Sequence, residues 1–400
     1  MSSDHIAVFS FAATGHVTPL LGIVEELVRR GHRVSWVSTA EFAERIEATG
    51  AAVVRYEGGR SVSDVGLDDI TGDNAVALSE GQFAESVAAA EAAEACFAAD
   101  PPDLVLYDTT VLAPARLLSV KLGVPAVQLF PSFAVNKRFS LLERMPEVAK
   151  MWAESGIAET LGARLAGFLT DHGVDMPVGE FYSRAEPLNL AVLPKVFQYA
   201  SDRFEDGEVV FVGPCLGSRA EADGWTPPAS GLPVVLISLG SLRYHQGGSF
   251  LRDCVDAFAG LPWHVVLSTG HQVRPEELGE LPANIEAHPW LPQTAVLRHA
   301  AVFVTHTGMG STMEALYFGV PLVAVPRMPE QNAVADRIVE VGAGVKIAHD
   351  EISATRLAEA VTRLGTDQDT RSRLAVLSKL TRDAGGAARA ADEIERVLTA

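Results

Sequence analysis

"AVFSFAATGHVTPLLGIVEELVRRGHRVSWVS", residues 7–38, moves from an apolar run through small residues into a helical pattern and out to a second apolar run. Ile6–Phe11 reads as a buried parallel strand. Over Pro19–Arg30, Leu20, Ile23, Val24, Leu27 and Val28 fall on one helical face, opposite Glu25, Glu26, Arg29 and Arg30. Gly31 is a stop signal, and Arg33–Ser38 is the next strand. This is a strand–helix–strand unit, in which His16 sits at the strand end with no local structural need for it.

The rhythm continues outward. Phe42–Thr49 reads as helix, Ala52–Tyr56 as strand, Phe83–Ala98 as an Ala-rich helix, Leu104–Tyr107 as strand, Pro114–Leu122 as helix and Ala126–Phe130 as strand. Residues 57–82, rich in Gly, Asp and Ser, read as a long loop, and 133–185 as irregular helix. A second series follows. Strands are expected at Val234–Ser238, Trp263–Ser268, Ala301–Thr305, Leu322–Val325 and Gly344–Ile347, and helices at Phe250–Phe258, Ser311–Phe318 and Gln331–Glu340. The expected fold is α/β: two Rossmann-like, doubly wound parallel-sheet domains facing a cleft. Residues 1–212 are expected to form the first domain, 213–231 a linker and 232–384 the second domain. A helix over 385–400, beyond the Gly385–Gly386 break, packs back on the first domain.

Composition bounds the function. The 400 residues exceed one ordinary core, and 48% hydrophobic with 21% charged residues is globular. Fifty-one acidic against 32 basic residues give a net charge of −19, so bulk attraction to nucleic acid or an anionic membrane is excluded and a phosphate needs a local device. Three scattered cysteines, Cys96, Cys215 and Cys254, suggest small buried hydrophobes in a reducing compartment rather than a disulfide framework. The start has no basic region followed by an apolar one, and no apolar run reaches the roughly 20 residues of a membrane span; a cytoplasmic protein, monomer or homodimer, is expected.

"VFVTHTGMGSTMEALYFG", residues 302–319, carries the sharpest chemistry. A strand enters a Gly-bearing turn and then a helix. Gly308 and Gly310 admit a ligand close to the backbone, Ser311 and Thr312 stand at the anion-attracting helix start, and His306 adds a donor. The stretch lacks the lysine of a P-loop and the third glycine of the dinucleotide fingerprint. Trp290 in "HPWLPQ" offers a face for a base, Glu314 suits a ribose, and Glu330 and Gln331 in "VPRMPEQN" suit a polyhydroxylated sugar. The sites for base, ribose, diphosphate and sugar follow one another along the chain.

Residues 290–332 resemble the donor-binding box of inverting, UDP-sugar-dependent glycosyltransferases of GT-B architecture. "LISLGS" (236–241), the run 275–311, "PDLVLYD" (102–108) and the opening 5–34 are similar to the macrolide glycosyltransferases of actinobacteria. The resemblance implies that Trp290, with Leu291 beside it, receives uracil, and that Gln293 and Glu314 hold the ribose. His306, Gly308, Gly310, Ser311 and Thr312 hold the diphosphate with Ser241, and Glu330 and Gln331 grip the sugar. It implies His16 as general base, oriented by Asp108, with UDP-glucose as co-substrate and neither prosthetic group nor metal. The sequence departs from the pattern at Thr14, at Gly310 in place of the Asn of plant relatives, and at Glu330 in place of a frequent Asp, which leaves the sugar open.

A neutral imidazole suits the removal of one proton from an alcohol near neutral pH, and a carboxylate on its other nitrogen fixes the tautomer and stabilises the imidazolium. Asp367–Asp369 reads as solvated loop, not a metal site. Phe83, Phe133, Phe139, Met145 and Trp152 are expected to line a site for a hydrophobic, hydroxylated acceptor such as a macrolide or polyphenol. The alternatives are a dTDP-deoxysugar transferase, a UDP-sugar epimerase or phosphorylase on the same fold, and a non-catalytic sugar-nucleotide-binding helper. A nicotinamide dehydrogenase is disfavoured because "SFAATGHV" lacks the glycine fingerprint.

Overall fold

The computed structural model describes residues 3–58, 72–241, 247–270 and 273–400, with the side chains of 72–78 left aside. The expected loop at 57–82 therefore lies partly outside the described residues, and where it is described from residue 72 it is helical: Gly72–Phe97 is one helix.

Among the described residues, the chain up to Gly217 together with Ala384–Ala400 forms one compact unit and Ser218–Asp383 a second. The first unit contains a seven-stranded sheet of β1 (His5–Phe9), β2 (Arg33–Ser38), β3 (Ala52–Arg55), β4 (Leu104–Asp108), β5 (Ala126–Phe130), β6 (Leu188–Ala191) and β7 (Val210–Phe211), in the order 3-2-1-4-5-6-7. The second contains β8 (Val234–Ser238), β9 (His264–Ser268), β10 (Ile285–His288), β11 (Ala300–Thr305), β12 (Leu322–Ala324) and β13 (Gly344–Lys346), in the order 10-9-8-11-12-13. Every pairing within the two sheets is parallel.

The continuous apolar runs follow from burial on both faces. In β1, Ile6 and Val8 enter one core while Ala7 and Phe9 enter the other; in β4, Leu104 and Leu106 join the first, Val105 and Tyr107 the second. Strand order reverses between β1 and β4 and again between β8 and β11, so each sheet has a switch point where a crevice opens beyond the strands' carboxyl ends.

The first helix spans Thr14–Arg29, five residues earlier than the apolar spacing indicates. Pro19 is thus inside the helix rather than at its start, where it has no N–H for the Gly15 carbonyl four residues back. The helix also packs tightly on the segment before Gly217: a Cβ on Gly22 would collide with the Cys215 carbonyl oxygen. The closing helix Gly386–Thr399 belongs to the first unit. Ala390, Ala391 and Ile394 enter its core, and Arg30 binds Asp392 and Glu395, each at 2.7 Å. Cys215 and Cys254 are buried as expected, but Cys96 is exposed.

Candidate active site

In the first unit, His16 occupies the first turn of the helix Thr14–Arg29, and Asp108 is the last residue of the neighbouring β4. The His16 Nδ1 lies 2.8 Å from Asp108 Oδ2. Asp108 is fully buried and saturated with donors: Oδ2 also accepts from the Phe11 N–H at 3.2 Å, and Oδ1 from the Thr110 N–H at 2.7 Å. Burial by itself lifts this carboxyl, but the charge and hydrogen bond of His16 and the Thr110 N–H outweigh it and hold it below the ordinary carboxylate value. An ionised Asp108 makes Nδ1 the donor, which leaves Nε2 as the basic nitrogen. The ring is partly exposed and stands edge-on to Phe11, with centroids 5.4 Å apart.

In the second unit, β11 runs into the turn 306–308 and the helix Met309–Phe318. The N–H groups of Met309, Gly310 and Ser311 precede the first intrahelical bond and form the anion-attracting end. Thr312 is not among them: it is fully buried, and both its N–H and its hydroxyl go to the Gly308 carbonyl. The two glycines of this motif differ in role. Space beside Gly310 is open, whereas a Cβ on Gly308 would strike the His306 ring, as would one on Gly240. Ser241 ends the described part of the loop after β8.

His306 is buried among these backbones. Burial pushes its pKa down to about 4; a hydrogen bond with the Ser238 main chain opposes the shift, and the Arg327 charge adds to it. At neutral pH it is therefore a neutral donor rather than a cation. Thr307 has a left-handed backbone (φ 66°), unusual for a β-branched residue, and its hydroxyl binds the Gln331 carbonyl at 2.8 Å.

Glu314 is buried one turn into this helix, and its oxygens are engaged separately: Oε1 by Arg219 at 2.7 Å and Oε2 by Gln293 at 2.6 Å. Gln293 also lies 3.2 Å from the Ser311 hydroxyl, so Gln293, Ser311 and Glu314 converge. Trp290, 53% exposed, follows β10 together with Leu291 and precedes a helix, Gln293–Leu297, rather than a strand. Glu330 and Gln331 lie in the first turn of Pro329–Glu340, not at a strand end. Glu330 is exposed, while Gln331 Oε1 is spent on the N–H groups of Arg327 and Met328.

The five acceptor candidates lie on several different elements of the first unit. Phe83 meets Phe168 edge-on, Phe133 stacks on Phe197, and Phe139 packs against Phe204, all as core contacts. Met145 ends a short turn of helix, and Trp152 is exposed on Pro146–Ser155. Asp367 caps the helix Gln368–Asp383 through the Asp369 and Thr370 N–H groups. Among the described residues no cluster of three or more His, Cys, Asp or Glu is placed to hold a metal, and no helix is long and apolar enough to cross a membrane. Arg219 was missed from the sequence, since it has no motif and meets Glu314 only through the fold.

Two doubly wound parallel-sheet units of this kind are the architecture of the GT-B class of sugar transferases. Residues 221–386 match the family described as UDP-glucoronosyl and UDP-glucosyl transferase. The oleandomycin glycosyltransferase of Streptomyces antibioticus is 39% identical over 401 residues, covering 99% of this chain and 91% of its own. An NDP-glycosyltransferase of Bacillus subtilis is 35% identical over 398 residues, covering 100% and 98%. The crystal structure of a calicheamicin glycosyltransferase superimposes with a TM-score of 0.85 at 37% identity, over 100% of this chain and 99% of that one. The chain belongs to the GT-B UDP-glycosyltransferase family, and it is a glycosyltransferase.

Proposed function

We propose that the enzyme moves a sugar, glucose, from UDP-glucose to a hydroxyl of a hydrophobic natural product, a macrolide or polyphenol, with inversion at the anomeric carbon. The observation that carries this reading is the 2.8 Å contact between His16 Nδ1 and the buried Asp108. Nε2 takes the acceptor proton, the oxygen attacks the anomeric carbon, and the bond to the diphosphate breaks as UDP leaves. Asp108 is a positioning residue, holding the tautomer and stabilising the imidazolium. The N–H groups at the start of Met309–Phe318 and neutral His306 receive the charge developing on the diphosphate. Trp290 takes the uracil face; Gln293 and Glu314 take the ribose. Glu330 receives the sugar hydroxyls, with the Gln331 amide beside it.

The acceptor class is supported by the oleandomycin enzyme and by a demethyllactenocin mycarosyltransferase of Streptomyces fradiae, 34% identical over 99% of this chain. The test is a panel of UDP- and dTDP-sugars against several macrolides and flavonoids, with the product linkage read by NMR. An α-linked donor should yield a β-glycoside; an α-glycoside overturns the single displacement, and consumption of donor without acceptor points to an epimerase. Transfer from a dTDP-deoxysugar in preference to UDP-glucose reassigns the donor.

A further inference from the structure

A small recess in the first unit, with about 10 Å³ available to a water-sized group, neighbours the His16–Asp108 pair through Phe11 and the turn that carries Thr110 and Val111. Phe11 and Val111 line it together with Ser10, Tyr56 and Glu85. Phe11 is the ring that stands edge-on to His16, and Val111 follows Thr110, whose N–H binds Asp108. Gln82, also in the lining, donates from Nε2 to the Thr110 carbonyl at 3.4 Å, joining the helix Gly72–Phe97 to the same turn. A recess of this size holds about one water, so it suits a single ammonium group at the tip of an acceptor and not the acceptor's body.

Glu85 is the charged residue of the lining, which holds no Lys, Arg or His. Its Oε2 is buried without a hydrogen-bond partner. Burial pushes the Glu85 carboxyl up, and burial, followed by the Glu85 charge, pushes the Tyr56 phenol up as well. The Ser10 hydroxyl already accepts from Trp36 Nε1 at 3.1 Å. A buried carboxyl oxygen with no donor is costly, and a ligand that brings both a donor and a positive charge removes that cost.

We propose that Glu85 marks an acceptor subsite for a protonated amine carried on the acceptor, beside the hydroxyl that His16 activates. The placement rests on the reading of His16 as the base. A neutral hydroxyl would satisfy Oε2 without the charge, so the test separates the two.

Three 4-hydroxyphenyl alkylamines, with arms of one, two and three carbons, are compared with the matching 4-alkylphenols. Binding is measured by calorimetry and sugar transfer by product formation. At least one amine should bind 10-fold or more tighter than its neutral counterpart, Glu85→Gln should bring it down to that counterpart, and Glu85→Asp should move the preference to a longer arm. Equal binding of amine and neutral phenol at every length overturns the proposal, as does an amine advantage that survives Glu85→Gln. If the amine preference is present but no phenol is glycosylated, the subsite stands and the role of His16 falls. If transfer proceeds without preference, the role of His16 stands and the subsite falls.

Discussion

Asp108 and His16, 92 residues apart in sequence, meet at 2.8 Å because β4 and β1 are parallel neighbours whose carboxyl ends emerge side by side. With His16 as the proposed base, its removal should cost turnover about 10²–10⁴-fold, the usual worth of a positioned general base. His16→Ala is therefore expected to lose that much kcat while UDP affinity, measured by calorimetry, stays unchanged. Full turnover in this variant would remove His16 from the reaction.

Asp108→Asn tests the positioning separately. The amide keeps the shape but can present its NH₂ to Nδ1, favouring the wrong tautomer, so kcat should fall by at least about 10²-fold. Because the amide that replaces the carboxylate does not ionise, raising the pH should not restore activity.

His306 sets an acid limit on stability. Its pKa is about 4 in the folded protein against 6.5 as an ordinary value, so below pH 6.5 the unfolded chain takes up the proton first. Stability should fall as the pH drops from 6.5 towards 4, by about 3 kcal/mol from this group. Thermal unfolding of His306→Gln across that range should show a flatter decline than the wild type; parallel curves would contradict the burial.

Arg219 holds a carboxylate that is itself nearly inaccessible. In Arg219→Ala, Glu314 loses the partner of Oε1, at a cost of about 1–3 kcal/mol. UDP affinity should drop about 10-fold if Glu314 must be held in place to meet the ribose, and calorimetry on the folded variant reads it directly.

Gly22→Ala should destabilise the first unit by about 1–3 kcal/mol, because the added methyl meets the Cys215 carbonyl oxygen and the Gly217 nitrogen. A lower Tm is the expected readout.

Much of this was legible because buried parallel strands write themselves as apolar runs: Ala126–Phe130 and Val234–Ser238 have the same bounds in sequence and structure. The edge strand β10 and the short β6, "IEAH" and "LNLA", carry polar residues and escaped. The start of Thr14–Arg29 was misread because its cap position, Ala13, has no capping side chain and its first turn contains Gly15. Local order along the chain pointed to Glu314 and the family resemblance to Gln293, and the two do meet. Nothing local could reveal that Arg219 reaches Glu314 across 95 residues.

The closing helix has a consequence for how such a chain can be recombined. Among the described residues the boundary between units is crossed twice, after Gly217 and after Asp383, so the second unit is an insert rather than a tail. A hybrid joined at a single seam would import a foreign Gly386–Thr399 and set it against the native Arg30, severing the contacts to Asp392 and Glu395. A hybrid joined at both seams leaves that helix with its own partner. On the donor roles proposed for Trp290, Gln293 and Glu314, donor preference would travel with 218–383 only if both stitches are made.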